Sequence, residues 1–116
     1  MLWADPFDKT AEAQSKSFAA NNVRNISVMF GLKPAKELLD REKLLSIVRA
    51  HQVKSEGYEL HFWNGPLFPT VITIFSAPNY EQMENFGAVL ISTNEGGFDV
   101  RTFCENEEKL SFLPDD

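Results

Sequence analysis

Residues 71–80 read VITIFSAPNY and decide the fold. From Val71 to Phe75 the run holds no charged residue and is rich in β-branched side chains, which predicts a strand buried on both faces. A similar run from Leu44 to Val48 is predicted as a second buried strand and ends in residues 49–51, RAH. In layered α/β folds ligands gather beyond strand ends, so we expect functional residues in these two places, among residues 49–51 and 76–80.

Outward from these two runs, the chain offers many strands and little helix. Residues 33–42 are predicted as a helix with Pro34 in its first turn, and residues 7–22 as a surface loop. His61 lies within an alternating strand and is expected to face solvent. Further strands are predicted at residues 27–30, 58–63, 88–92 and 98–103, with a hairpin turn at residues 94–97.

The predicted fold class is therefore α/β and strand-rich. Two fully apolar strands need helices or further strands to cover them, and this sequence holds too few helices to do so. We expect residues 1–116 to be one incomplete portion of a larger domain, with residues 105–116 as a surface tail. The apolar start Met1-Leu2-Trp3 favours the same interpretation.

Composition excludes several classes of protein. Seventeen acidic against eleven basic residues give a net charge of −6, which disfavours binding to nucleic acid. The single cysteine, Cys104, excludes an intramolecular disulfide and a multi-cysteine zinc site. No apolar run approaches the roughly 20 residues that span a membrane. We expect a cytoplasmic protein that binds no membrane.

Four residues could take part in chemistry, each with a plainer alternative. His51, just past a strand end, suits a transition metal, or is a half-buried histidine bonded to backbone. Arg24 offers a bidentate fork to a phosphate, or is a surface arginine. Asp5 before Pro6 is ordinarily a turn or cap residue. Cys104 has no activating neighbour in the sequence and is expected to be a passive thiol.

Four segments together carry a family resemblance. LWADP, NNVRNISVMFG, LLSIVRAHQVKSEGYE and VITIFSAPNY, in this order and spacing, resemble the phosphoprotein phosphatase family of serine/threonine phosphatases. The similarity is greatest to its calcineurin branch, through residues 65–69, GPLFP, and 112–114, FLP. It implies the C-terminal part of a metallophosphatase catalytic domain, a β-sandwich flanked by helices.

The resemblance implies a role for particular residues. His51 matches a ligand of a two-metal centre, iron with zinc or manganese, in which a metal-activated water attacks phosphorus. Arg24 matches an arginine that binds the substrate phosphate, Asp5 an aspartate beside the active site, and Tyr80 a tyrosine at its rim. The other ligands of that centre belong to motifs that this sequence lacks.

The resemblance also implies partners. Phosphoproteins are the expected substrates. The stretch that resembles a substrate-docking edge strand of the calcineurin branch consists of Asp99, Val100, Arg101, Thr102 and Phe103, which would pair with extended peptides, or is simply an edge strand. A calcium-binding regulatory subunit and calmodulin would bind through segments absent from this sequence.

Three positions depart from the family pattern. Ala4 stands where serine is usual, Asn25 follows the phosphate arginine where glycine is common, and Glu81 follows SAPNY where many members have cysteine. Losing the glycine bears on how Arg24 is aimed.

Two functions stay open from the sequence. The first is a piece of an active protein serine/threonine phosphatase, inactive as the isolated 116 residues. The alternative is a non-catalytic, phosphatase-like module that binds partners in a larger assembly.

Overall fold

A computed structural model of the chain describes residues 3–8, 17–63 and 67–105, and this part is rich in strands. Eight strands and one α-helix make up its regular structure, with one turn of 3₁₀-helix. In chain order the elements are β1 Asp5–Pro6, β2 Phe18–Ala20, β3 Val28–Phe30, α1 Leu32–Glu42, β4 Ile47–Arg49, β5 Tyr58–His61, β6 Val71–Ile74, the 3₁₀-helix Tyr80–Gln82, β7 Gly87–Ser92 and β8 Phe98–Phe103.

The strands form three small sheets, and the chain divides into two compact units. The sheet orders are β1-β3-β2, β4-β6-β5 and β7-β8. The first unit holds the described residues up to Val48 together with Leu60–Ile72, and the second holds Arg49–Glu59 together with the residues from Thr73 onward.

The first unit has an apolar core around Trp63. Phe30, Ala35, Trp63 and Val71 are all buried in it, and Ile47 is partly buried against it. The rings of Phe30 and Trp63 meet edge to face with centroids 6.4 Å apart, a favoured arrangement for aromatic pairs. This core joins β3, α1 and β6 in one packed cluster.

The β1-β3-β2 sheet corrects the sequence interpretation of residues 7–22. Asp5 pairs with Met29 in the parallel β1-β3 ladder, and Phe18 pairs with Phe30 in the antiparallel β2-β3 ladder. The predicted loop thus contains a strand, β2, whose Ala-rich sequence gave no alternation to detect it by. The rest of that prediction, residues 9–16, lies outside the described residues. The strand predicted at residues 27–30 is confirmed as β3.

The predicted helix is confirmed as α1. It begins after Gly31 and places Ala35 and Leu39 on its buried face. Lys43 ends it in a left-handed conformation, and the N–H of Leu44 bonds back to the carbonyl of Leu39 at 2.9 Å. Within the described parts of the chain, no helix is long and apolar enough to cross a membrane.

Of the two strands predicted to be buried on both faces, only one is. All four residues of β6 are buried, but β4 begins three residues later than expected, and Leu44, Leu45 and Val48 are 57%, 62% and 56% exposed. The physical reason is position, because β6 is the central strand of its sheet and β4 lies at the edge.

The prediction that His61 faces solvent is wrong. His61 is only 1% exposed and its ring lies 5.3 Å from that of Trp63, while Phe62 between them is exposed. Tyr58, Glu59 and Leu60 are all half-buried, so β5 itself does not alternate, and a sequence alternation shows at most which residues share a face. Which face is covered depends on the core that Trp63 enters.

The second unit is built on a confirmed hairpin. β7 and β8 pair antiparallel from Gly87 opposite Phe103 to Ser92 opposite Phe98. The turn closes with the N–H of Thr93 bonded to the carbonyl of Gly97 at 3.0 Å. The predicted tail beyond Glu105 lies outside the described residues.

Gly57 brings the loop after β4 against β7. Its φ is +80°, and a Cβ at this position would lie 2.7 Å from the carbonyl carbon of Gly87 and 2.8 Å from the nitrogen of Ala88. The carbonyl of Gly57 accepts a hydrogen bond from the N–H of Phe75 at 2.7 Å. Only glycine fits both the conformation and the space.

Gly57→Ala is therefore expected to destabilise the protein far more than Gly96→Ala. Gly96 has the same φ of +80° but nothing within 4 Å of its Cβ position, so its substitution costs only the backbone strain, about 1 kcal/mol. Gly57→Ala adds a clash with backbone, which raises the loss by about 2 kcal/mol. Urea unfolding of the two variants measures the difference, and equal losses would contradict the close approach.

Candidate functional site

The first unit contains a tight pair between Arg24 and Asp5. Arg24 Nε donates to Asp5 Oδ2, and Arg24 Nη2 donates to Asp5 Oδ1 at 3.0 Å. One edge of the guanidinium therefore faces both oxygens of the carboxylate. Asp5 is 3% exposed, and the Arg24 side chain is mostly buried. Such a bidentate contact fixes the plane of the guanidinium as well as its position.

Two further residues support this pair, and neither was singled out from the sequence. Asn21 is buried; its Nδ2 donates to Asp5 Oδ2 at 2.8 Å, and its Oδ1 accepts from the N–H of Arg24 at 3.3 Å. The guanidinium carbon lies 5.6 Å from the centre of the Trp3 ring, within cation–π range. Asparagine side chains commonly bond to nearby backbone in turns, which was a usable signal for Asn21.

The pairing keeps Arg24 charged. Its hydrogen bonds to Asp5, helped by the attraction between the two charges, raise the pKa of Arg24 above its ordinary value, although burial acts in the opposite direction. The guanidinium is therefore a permanent cation at neutral pH, held in one orientation by strand β1.

The backbone of the turn that carries Arg24 explains why Asn25 can stand where glycine is common in the family. Asn25 has a φ of +54° and Ser27 a φ of +64°, both in the left-handed region. Asparagine tolerates this conformation better than most residues with a side chain. Asn25 thus supplies the backbone geometry that a glycine would, and Arg24 still reaches Asp5.

His51 and Tyr80 lie in the second unit. His51 is exposed, two residues after β4, with a φ of +78° that is rare for a residue other than glycine. Its neighbour Arg49 is anchored, since Nη1 donates to Gln52 Oε1 at 2.6 Å and to Thr73 Oγ1 at 3.2 Å. Strained backbone next to an anchored side chain is frequent at functional sites.

Tyr80 opens the 3₁₀-helix after β6. Its side chain is 42% exposed, and its ring packs edge to face on Phe75, with centroids 5.3 Å apart and an angle of 84°. One face of the phenol ring is therefore supported while the other reaches the surface.

The structure brings Asp5 and Arg24 into direct contact. For Cys104 and for the edge-strand candidate it shows how far each side chain is exposed. Cys104 is half-buried after β8. In the edge-strand candidate, Asp99, Arg101 and Thr102 are exposed, while Val100 and Phe103 are half-buried.

The predicted metal ligand, His51, could supply one donor atom to a metal ion but not a complete site. No group of three or more His, Cys, Asp or Glu side chains that could hold a metal occurs within residues 3–8, 17–63 and 67–105. An exposed imidazole at a strand end, as in His51, is a suitable ligand for a metal whose other ligands come from elsewhere.

Comparison with known proteins gives consistent results. The chain is 34% identical to the serine/threonine-protein phosphatase 2B catalytic subunit A1 of Saccharomyces cerevisiae over 99% of its length. It is 40% identical to serine/threonine-protein phosphatase 5 of Solanum lycopersicum over 78% of its length. These matches cover 22% and 14% of the two relatives, so the chain spans less than a quarter of the length of either. No protein-family model matches the chain.

A solved structure agrees with the fold. The chain superposes with a TM-score of 0.68 and 25% identity on a protein serine/threonine phosphatase from Saccharomyces cerevisiae with similarity to human phosphatase PP5. The match covers 91% of this chain and 33% of that one. The strand-rich α/β fold predicted from the sequence is therefore confirmed as a portion of a phosphatase fold.

Asp5→Asn is expected to destabilise the first unit, because it removes the carboxylate that neutralises a mostly buried cation. The expected loss is about 2–4 kcal/mol in the free energy of unfolding. Asp99→Asn is the matched control, since the pair of Asp99 with Arg101 is largely exposed and should contribute almost nothing. Denaturant unfolding measures the stability of both variants. A loss of stability in Asp99→Asn as large as in Asp5→Asn would contradict the importance of the Asp5–Arg24 pair.

Proposed function

Because its homologues are serine/threonine phosphatases of the phosphoprotein phosphatase family, we propose that this chain forms part of a metal-dependent protein phosphatase. The parent enzyme would hydrolyse phosphoserine and phosphothreonine in proteins. The observation that carries the proposal is the bidentate Asp5–Arg24 pair, a fixed and permanently charged guanidinium at the position that resembles the family's phosphate-binding arginine.

Arg24 is proposed to bind the equatorial oxygens of the phosphate. A guanidinium presents a planar fork of N–H donors that matches the oxygens of a phosphate. A cation held before substrate arrives needs no reorganisation as negative charge develops, which is the usual origin of electrostatic catalysis. In this scheme Asp5 positions Arg24.

His51 is proposed as one ligand of a two-metal centre, iron with zinc or manganese, completed by other parts of the parent chain. When bound, such a centre supplies an activated water for attack on phosphorus. The role of His51 is to offer its imidazole from an exposed strand end. Tyr80 would border the phosphate site through the exposed part of its ring.

The partners are also proposals. Phosphoproteins would be the substrates. The yeast relatives are named as catalytic subunits, which supports a regulatory partner, proposed as a calcium-binding subunit with calmodulin acting through other segments. The cytoplasm is the proposed location, because the single cysteine fits a reducing compartment.

A phosphatase assay on the parent protein tests the role of Arg24. Turnover of p-nitrophenyl phosphate and of a phosphoserine peptide is measured with added manganese. Arg24→Lys is expected to lower kcat/KM about a hundredfold, because lysine cannot reproduce the bidentate contact with Asp5. Arg41→Lys is the control, since Arg41 is exposed on α1 and forms an exposed ion pair with its neighbour Glu42.

Metal content separates the two functional hypotheses. His51→Ala is expected to lower bound metal, measured by plasma mass spectrometry, together with activity. A parent protein that binds no metal and turns over neither substrate would be the non-catalytic interaction module instead. The isolated 116 residues are expected to be inactive in either case.

A second proposed role is peptide docking at the edge of β8. Within the described residues the sheet order is β7-β8, which places β8 at an edge of its sheet, the position at which an extended peptide is added as a further strand. Asp99–Phe103 would bind an extended peptide through main-chain hydrogen bonds. The test is nuclear magnetic resonance titration with extended peptides: amides of β8 should shift, and a peptide N-methylated at alternate residues should fail to bind. Equal binding of the methylated peptide would contradict strand addition.

A further inference from the structure

The segment that follows β6 holds an unusual amount of backbone strain. Asn79, Glu81, Gln82 and Glu84 all have φ between +47° and +64°, in the left-handed region. Each such residue has a backbone conformation that is unfavourable for residues other than glycine. Four of them within six positions persist only if something holds the segment in place, and Tyr80 lies in its middle.

Asn85 provides that hold. It is 4% exposed, and its side chain makes three hydrogen bonds to backbone. Its Oδ1 accepts from the N–H of Tyr80 at 2.8 Å, while Nδ2 donates to the carbonyls of Ala77 at 2.8 Å and Phe86 at 2.9 Å. The buried Asn85 carboxamide therefore bonds to the backbone at both ends of the segment, at Ala77 and Phe86, and to the backbone of Tyr80 between them.

The main chain of Asn85 adds a fourth contact. Its carbonyl accepts from the N–H of Asn79 at 2.8 Å, directly before Tyr80. Two consecutive backbone N–H groups, those of Asn79 and Tyr80, thus end on this single residue. These bonds fix the backbone of Tyr80 at a place from which its ring packs edge to face on Phe75.

We propose that Asn85 is a positioning residue that fixes the backbone of Tyr80 and so holds the Tyr80 ring in place on Phe75. The proposal deepens the phosphatase function proposed above and rests on it for its catalytic consequence. Its structural half, the dependence of the Tyr80 ring on the Asn85 carboxamide, stands on the geometry alone.

The carboxamide chemistry distinguishes asparagine from its nearest substitutes. The three hydrogen bonds require one acceptor, which faces the Tyr80 N–H, and two donor hydrogens, which face the carbonyls of Ala77 and Phe86. An ionised carboxylate keeps the acceptor but turns negative oxygens toward two carbonyl oxygens. A protonated carboxyl group regains one donor. Asn85→Asp should therefore position Tyr80 in a pH-dependent way.

The ring of Tyr80 can be observed directly. The chain has two tyrosines, Tyr58 and Tyr80, so 3-fluorotyrosine labelling gives two ¹⁹F resonances, and Tyr58→Phe assigns them. Asn85→Ala is expected to move the Tyr80 resonance at least halfway toward that of free fluorotyrosine. Asn85→Asp should do the same at neutral pH and return toward the wild-type position on acidification, which Asn85→Ala cannot do.

Thr73→Val is the control for general loosening of the second unit. It removes the hydroxyl that accepts from Arg49 at 3.2 Å, at a buried place apart from residues 77–86. The Tyr80 resonance should stay unchanged in this variant. An unchanged resonance in Asn85→Ala, or an equal shift in Thr73→Val, overturns the proposal. If Asn85→Ala does not fold, the Tyr80 resonance of Asn85→Asp is compared at acid and at neutral pH instead, and equal positions at the two pH values overturn the proposal.

Kinetics of the parent protein test the catalytic half. Asn85→Ala should lower kcat/KM for a phosphoserine peptide about tenfold with bound metal unchanged, and Asn85→Asp should recover part of the loss at low pH relative to wild type. A ¹⁹F shift without any wild-type phosphatase activity would show that the proposed function, not the positioning by Asn85, is wrong. Wild-type activity with no effect of Asn85→Ala would overturn the catalytic half alone.

Discussion

Burial of the strand Val71–Ile74 is the constraint on which both units depend. A strand without one exposed residue must be paired and covered on all sides, and the hydrogen bonds at its ends show how this is done. In the first unit, Thr70 accepts from the N–H of Ile47 at 3.0 Å and donates to the carbonyl of His61 at 2.9 Å. In the second, Phe75 donates to Gly57 at 2.7 Å and accepts from Ala88 at 3.0 Å.

Within each unit, buried polar residues hold a candidate side chain: Asn21 and Asp5 hold Arg24 in the first unit, and Asn85 holds Tyr80 in the second. These partners are short polar side chains, which satisfy backbone groups that would otherwise be buried without a bond. The exposed apolar residues in and before β4, Leu44, Leu45 and Val48, fit the finding that this chain spans a small part of its relatives' length.

The sequence predicted the regular elements well where one pattern dominated. The apolar run of β6, the helix α1 and the β7-β8 hairpin agree with their predictions because each has a clear period or turn motif. Prediction failed where burial depends on distant residues. Leu44 and Leu45 were expected inside and are exposed, while His61 was expected outside and is buried against Trp63.

By itself, the sequence determined the strand-rich fold class and the resemblance to phosphoprotein phosphatases, and it named the candidate side chains, because local patterns and motif order carry that information. Only the tertiary structure decided which residues hold them. Asp5 lies 19 positions from Arg24, and no local rule predicts that its carboxylate turns inward to meet the guanidinium. Burial creates that partnership, since a charge removed from water must find its counter-charge wherever the fold places it.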